Sequence, residues 1–155
     1  ILTLVIPVQA LFSVIPITRY FNSKADPTND LYGWPDAAKE VKRLSTEWSS
    51  EGPVFIYAYK FLIADQIGFY TRQSRGIYCF NEDKTQFDFW DDPDKLKGQN
   101  AIFITDNRYN VDPREKFAKN FEKIEKPKLI DIYRNGLLIR TFFIYKCYGF
   151  KGLNI

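Results

Sequence analysis

The chain has 155 residues, 22 basic against 19 acidic side chains, and no histidine. A content of 45% hydrophobic and 17% aromatic residues excludes disorder and suits one domain with a real core. Without imidazole, Ser-His-Asp and Cys-His catalysis fall away, as do nearly all histidine-ligated metal sites, and the scattered bases argue against a nucleic-acid surface.

The first seventeen residues, Ile1 to Ile17, carry no charge, and the chain turns polar at Thr18-Arg19. The run is shorter than the roughly 20 residues that cross a bilayer core. No basic stretch precedes it and no Ala-x-Ala-like site follows it, so a complete signal peptide fits poorly. The expectation is the last turns of a transmembrane helix over 1–17, a connector over 18–33 and a soluble domain over 34–155. A buried N-terminal strand and helix is the alternative, because Pro7 and Pro16 interrupt a regular helix.

Asp26-Pro27-Thr28-Asn29-Asp30 is turn chemistry. A helix is expected from Trp34, with Pro35 in the first turn, Asp36 near its positive end, and Ala37, Ala38, Val41, Leu44 and Trp48 on one face. Glu51-Gly52-Pro53 ends it, and Val54 to Ala58 reads as a buried strand. Tyr59 to Arg72 reads as a helix that packs through Phe61, Leu62, Ala64, Asp65, Gly68 and Phe69. Gly76 to Phe80 is a second strand, Asn81 to Gly98 a loop, and Asn100 to Thr105 a third strand. Asp112-Pro113 opens a helix expected to reach Ile124, with Phe117, Phe121 and Ile124 on one face. Asn135-Gly136 between Lys128–Arg134 and Leu137–Cys147 is a strong hairpin signal. This alternation predicts an α/β fold: a three-layer, Rossmann-like domain. Its mostly parallel sheet has helices on both faces, plus the C-terminal antiparallel hairpin.

The aromatic-acidic loop Thr85 to Asp92 suits carbohydrate contact, with rings for sugar faces and carboxylates for hydroxyls; equally, Phe87, Phe89 and Trp90 can plug the sheet while Asp91 and Asp92 cap a turn. Asp65 and Asp88 are the carboxylates a small hydrolase would use, or Asp65 pairs with Lys60 or Arg72. Asp88, Asp91 and Asp92 lack the spacing of a calcium loop, and no phosphate-binding glycine fingerprint follows the first strand. The tail residues Arg140, Lys146, Tyr148, Phe150 and Lys151 suit either anionic headgroups or a final solvated strand. Cys79 and Cys147 are read as two buried thiols, with a disulfide open in an oxidising compartment.

Several segments, in this order, resemble a known family. They are Asp26-Pro27-Thr28 with Leu31-Tyr32-Gly33-Trp34, then Tyr59, Ala64 and Phe69-Tyr70. Gln86-Phe87-Asp88-Phe89-Trp90 and Gly98 to Asp106 follow, and the hairpin ends in Tyr145 to Gly152. The family is the bacterial integral membrane glycosyltransferases similar to dolichyl-phosphate-mannose–protein mannosyltransferases and the aminoarabinose transferase of lipid A; the resemblance is to their C-terminal soluble domain. It implies a polytopic inner-membrane enzyme with a polyprenyl-phosphate-linked sugar donor and this domain on the periplasmic side. Catalytic and metal-binding groups would lie in the membrane portion of the same polypeptide, so none is assigned here, and no cofactor is expected. The implied partners are that membrane portion, the lipid-linked sugar, its acceptor and the bilayer surface, but no nucleic acid. Gln86, Asp88, Trp90, Trp34 and Tyr59 are the candidate substrate-binding residues. Phe87 stands where the pattern has tyrosine, which favours packing there. The rival readings are a free-standing carbohydrate-binding module and a structural lid without a ligand.

Overall fold

The computed structural model describes residues 2–12, 14–15, 17–73, 75–80 and 93–153. The chain opens with α1 (Leu2–Phe12), which contains Pro7, and a single turn α2 (Ile17–Tyr20). Two 3-10 turns, Ser23–Ala25 and Pro27–Leu31, carry the connector. The main elements follow: α3 (Trp34–Trp48), β1 (Val54–Ala58), α4 (Phe61–Thr71), β2 (Ile77–Cys79) and β3 (Asn100–Asp106). Then come α5 (Pro113–Lys116), β4 (Phe121–Ile124), β5 (Lys128–Arg134) and β6 (Leu137–Phe150). Among the described residues no helix is long and apolar enough to cross a membrane.

The fold is mixed α/β. The six strands form one sheet in the order β2-β1-β3-β6-β4, with β5 also on β6. β1 pairs parallel with β2 and with β3, whereas β6 pairs antiparallel with β3, β4 and β5. β4 and β5 lie end to end along one edge of the long β6, and β3 occupies the other. Asn135 and Gly136 both take positive φ, 50° and 76°, the geometry a two-residue hairpin turn demands.

Alternation along the strands sorts the core into two clusters. Ile56, Ala58, Ile102, Ile104 and Phe142 face α3 and α4. Phe55, Tyr57, Phe103, Tyr145 and Phe150 face the other way, where Leu96, Phe117 and Phe121 cover them. A right-handed connection that reverses its direction along a sheet must change faces. The chain obeys this: β1 to β2 passes over the first face through α4, and the approach to β3 passes the second through Leu96.

The stripe expected on α3 is buried residue for residue, with Ala37, Ala38, Val41, Leu44 and Trp48 inside. Gly33 caps the helix with φ 86°, where a side chain would be strained. A Cβ there would also lie 2.5 Å from Ile132 Cγ1, so the glycine permits a close approach to the hairpin.

Two expectations are corrected. α4 buries Ile63, Ala64, Ile67 and Thr71, while Phe61, Asp65 and Phe69 face outward; apolar residues on every side of this helix hide its stripe from a periodicity argument. The helix opened by Asp112-Pro113 stops at Lys116, and Phe121 to Ile124 is a strand. Phe121 pairs with Phe150 there, and a β6 this long needs a neighbour over its last residues. α3 and α4 lie on one face of the sheet, and among the described residues the other face is covered by Leu96, Phe117 and Phe121, from the Pro93–Leu96 turn and the segment that begins with α5.

Candidate functional site

The carboxyl end of β3 carries a polar network around Arg140, a residue that the sequence suggested as a headgroup contact or part of a solvated strand. Asp106, the last residue of β3, is fully buried beside the equally buried Arg140 of β6, with Arg140 Nε 2.9 Å from Asp106 Oδ2. That approach is an ion pair whose angle falls short of a hydrogen bond. The other carboxylate oxygen of Asp106 accepts from the backbone N–H of Arg108 and Tyr109 and so folds the loop after the strand. Burial pushes the Arg140 guanidinium below its ordinary pKa, and the Asp106 carboxylate opposes the shift. Asp30 extends the network outward, 2.6 Å from Arg108 Nε and 3.4 Å from Arg140 Nη2. The Arg140 guanidinium lies 4.3 Å from the Trp34 ring centroid, a stacking geometry that stabilises a desolvated cation.

Beside this network runs an open groove of about 520 Å³, lined by Asp30, Leu31, Trp34, Asp65, Phe69 and Tyr70. Asp65 makes no ion pair or hydrogen bond among the described residues, and partial desolvation raises its pKa. Rings and carboxylates lie side by side along this groove, the combination expected of the Thr85 to Asp92 loop.

A second polar network fastens α1 to the domain. Arg134, at the tip of β5, donates to the carbonyls of Gln9 and Ala10 (2.7 Å to the latter), the last turn of that helix. Tyr32 Oη donates to Ala10 O as well, and the Arg134 guanidinium stacks 4.4 Å above the Tyr32 ring. A cation at a helix C-terminus satisfies orphan carbonyls and opposes the negative end of the dipole. Arg134 also donates to Thr28 Oγ1 and Asn29 Oδ1 and lies 3.8 Å from Asp26 Oδ2. Gln9, only 6% exposed, donates to Asp26 Oδ2 and to Ile15 O. The other described side chains near it differ: Val5, Ile6, Val8, Leu11 and Phe12 are all exposed.

The residues expected to bind substrate are not brought together. Trp34 is buried in the cluster facing α3 and α4, its Nε1 donating to Asp30 O at 2.7 Å, and only its edge borders the groove. Tyr59 packs against the opposite cluster. Gln86, Asp88 and Trp90 lie outside the described residues, as do Phe87, Phe89, Asp91 and Asp92. Cys79 and Cys147 are buried thiols in different clusters, and no disulfide joins them. Burial pushes the Cys147 thiol up to about 12, so it stays protonated and inert. Of the tail residues, Arg140 and Phe150 are core, while Lys146 lies over the Trp48 ring at 5.0 Å. Among the described residues no group of acids or cysteines is arranged to hold a metal ion.

One signal could have exposed the clamp: Gln9 is the sole amide in an otherwise apolar stretch. A single amide among aliphatic residues needs a buried partner, and Asp26 supplies it. The chain matches no family model, no curated protein and no solved structure.

Proposed function

We propose that the chain is the extramembrane C-terminal domain of a membrane glycosyltransferase that uses a polyprenyl-phosphate-linked sugar. Residues 1–17 are the emerging end of its last transmembrane helix, and the domain faces the periplasm of a bacterial inner membrane. The observation that carries this reading is the pairing of an exposed apolar helix with a buried polar clamp at its exit. Five side chains of α1 remain 41–71% exposed, and each would gain on the order of 1 kcal/mol by leaving water. Its C-terminal carbonyls are held by Arg134 and Tyr32, which fixes the helix against the hairpin. A bilayer supplies the missing apolar environment, and the clamp sets the angle at which the domain stands on it.

In this reading the domain is accessory. It covers the membrane active site or positions substrate, and the groove beside Asp30 and Asp65 is its best-formed concave surface. The β2-β1-β3 half with α4 is the Rossmann-like part of a three-layer domain. Its thinner layer comes from the Pro93–Leu96 turn and the Pro113–Asn120 segment.

The test uses the whole gene product in its native membranes, supplied with radiolabelled polyprenyl-phosphate sugars. The reading expects label transfer that falls at least tenfold in Arg134→Met at equal protein level. No transfer above membranes lacking the protein, with any donor offered, contradicts it.

A further inference from the structure

We propose that the groove along α4 is a binding site for an organic ammonium ion, seated against the Asp65 carboxylate and the rings of Phe69 and Tyr70.

Asp65 is the uncompensated charge of this groove. One wall is α4, through Asp65, Gln66, Phe69 and Tyr70, and the other carries Asp30 and Trp34. The Asp30 carboxylate is already met by Arg108 at 2.6 Å and by Arg140 at 3.4 Å, so the fold balances it. Asp65 is accessible from solvent and has no ion pair or hydrogen bond among the described residues. Its surroundings nevertheless remove part of its hydration. A carboxylate that gives up water without gaining a partner is destabilised, and a cation in the groove restores what it lacks.

A second observation is independent of charge. Phe69 is 74% exposed and Tyr70 is 40% exposed, although both line the groove. Their ring centroids are 5.1 Å apart and their planes stand at 89°. Two perpendicular rings form a corner rather than a platform. Asp65 stands one helical turn before Phe69, four residues away, and so on the same side of α4. A corner of two rings with a carboxylate beside it suits a compact, rounded cation. Ring faces attract positive charge, and the carboxylate neutralises it.

A neutral sugar fits this surface less well. A sugar stacks its flat face on an open ring, and the largest ring of the groove is closed. Trp34 is 3% exposed, the Arg140 guanidinium lies 4.3 Å from its centroid, and its Nε1 is committed to Asp30 O. At Asp65, a sugar hydroxyl gives a hydrogen bond with one ionised partner, whereas an ammonium ion gives one with two. The ligand is therefore an amine, either free in solution or carried on a lipid headgroup. The inference gives this groove a ligand whether or not α1 enters a bilayer.

The test is titration of the 155-residue chain, held in a polyoxyethylene detergent, with choline, read by amide shifts at Gln66 and Phe69. Its uncharged isostere, 3,3-dimethylbutan-1-ol, and methyl β-glucoside are titrated in parallel. A further arm compares bicelles of phosphatidylcholine with bicelles of phosphatidylglycerol. Choline should bind about tenfold more tightly than the isostere. Asp65→Asn should weaken choline about tenfold, the loss of one charge-assisted contact. Phe69→Leu keeps an apolar side chain but removes the ring, and should weaken choline about threefold. Glu115→Gln, an exposed acid on α5 outside the groove, should change nothing. Binding of soluble choline that depends on Asp65 supports a free amine; the same dependence seen only with phosphatidylcholine supports the lipid source. Several results overturn the proposal: no saturable choline binding in either arm, equal binding of choline and its isostere, or equal binding by the native protein and both groove variants. Saturable binding of the glucoside without choline overturns it in favour of a carbohydrate.

Discussion

The Arg134 guanidinium holds the carbonyl of Gln9 across 125 positions of sequence. One side chain at a hairpin tip thus caps a helix that carries no charge of its own. Arg134→Met should release that helix locally. We expect amide hydrogen exchange at Leu11 and Phe12 to rise at least tenfold, while β1 and β3 stay protected as before. Equal protection in both proteins would mean that the clamp does not hold α1.

The buried pair of Asp106 and Arg140 predicts a non-additive result. Arg140→Met leaves the Asp106 carboxylate in the core without its partner and should destabilise the fold by about 3–5 kcal/mol. Adding Asp106→Asn removes the stranded charge, while its amide oxygen still accepts from the Arg108 and Tyr109 N–H groups. The double variant should therefore be more stable than Arg140→Met alone in urea denaturation. A double variant that loses the sum of both single losses would contradict the pairing.

Two glycines with positive φ should respond differently to alanine. At Gly33 a new Cβ meets Ile132 at 2.5 Å and Phe142 at 3.0 Å, both held in the core. At Gly149 it meets the flexible, exposed end of Glu122, which can swing away. Gly33→Ala should lower stability by about 3 kcal/mol and Gly149→Ala by about 1 kcal/mol. Thermal denaturation of the two variants gives the order, and the reverse order would refute the packing described around Gly33.

Acid should weaken the fold through two carboxylates. Hydrogen bonding from Arg43 holds Glu40 at about 2 against an ordinary 4.5; burial opposes the shift and Lys128 adds to it. Burial raises the Asp26 value, but hydrogen bonds from Thr28 and Gln9, with the Arg134 charge, carry it below the usual carboxylate range. Both folded-state values are depressed, so both groups stabilise the protein above their unfolded-state pKa, and that stability is lost as pH falls. For Glu40 the window runs from about 4.5 down to about 2. Its partners are half exposed, so Glu40→Gln should lose only about 1 kcal/mol at neutral pH. The variant should show a shallower acid limb over that window; an unchanged limb would exclude Glu40 as a contributor.

Where local chemistry decides the structure, the sequence was readable. The α3 stripe, the three short strands and the Asn135-Gly136 hairpin follow from periodicity and turn preference, and the structure has them. The long-range residues were not readable. Phe117, Phe121 and Ile124 have helical spacing, but pairing with Phe150 outweighs it, and a partner 29 positions away leaves no local mark. The buried face of α4 was hidden because apolar residues surround that helix. Arg140 looked like a surface base on a strand; only the fold shows Asp106, Asp30 and Trp34 closing around it. The candidate residues divided for the same reason. Trp34, at the start of α3, packs on one face of the sheet, while Tyr59, just after β1, packs on the other.

The depth of α1 in a bilayer tests the central claim most directly. Both native thiols are buried, so a single added cysteine can be labelled selectively in the folded protein. An environment-sensitive fluorophore at Ile6→Cys, with the protein in lipid vesicles, should emit at short wavelength and be quenched by lipids spin-labelled in their acyl chains. The same label at Lys119→Cys should emit as in water and stay unquenched. Water-like, unquenched emission from position 6 would contradict the account.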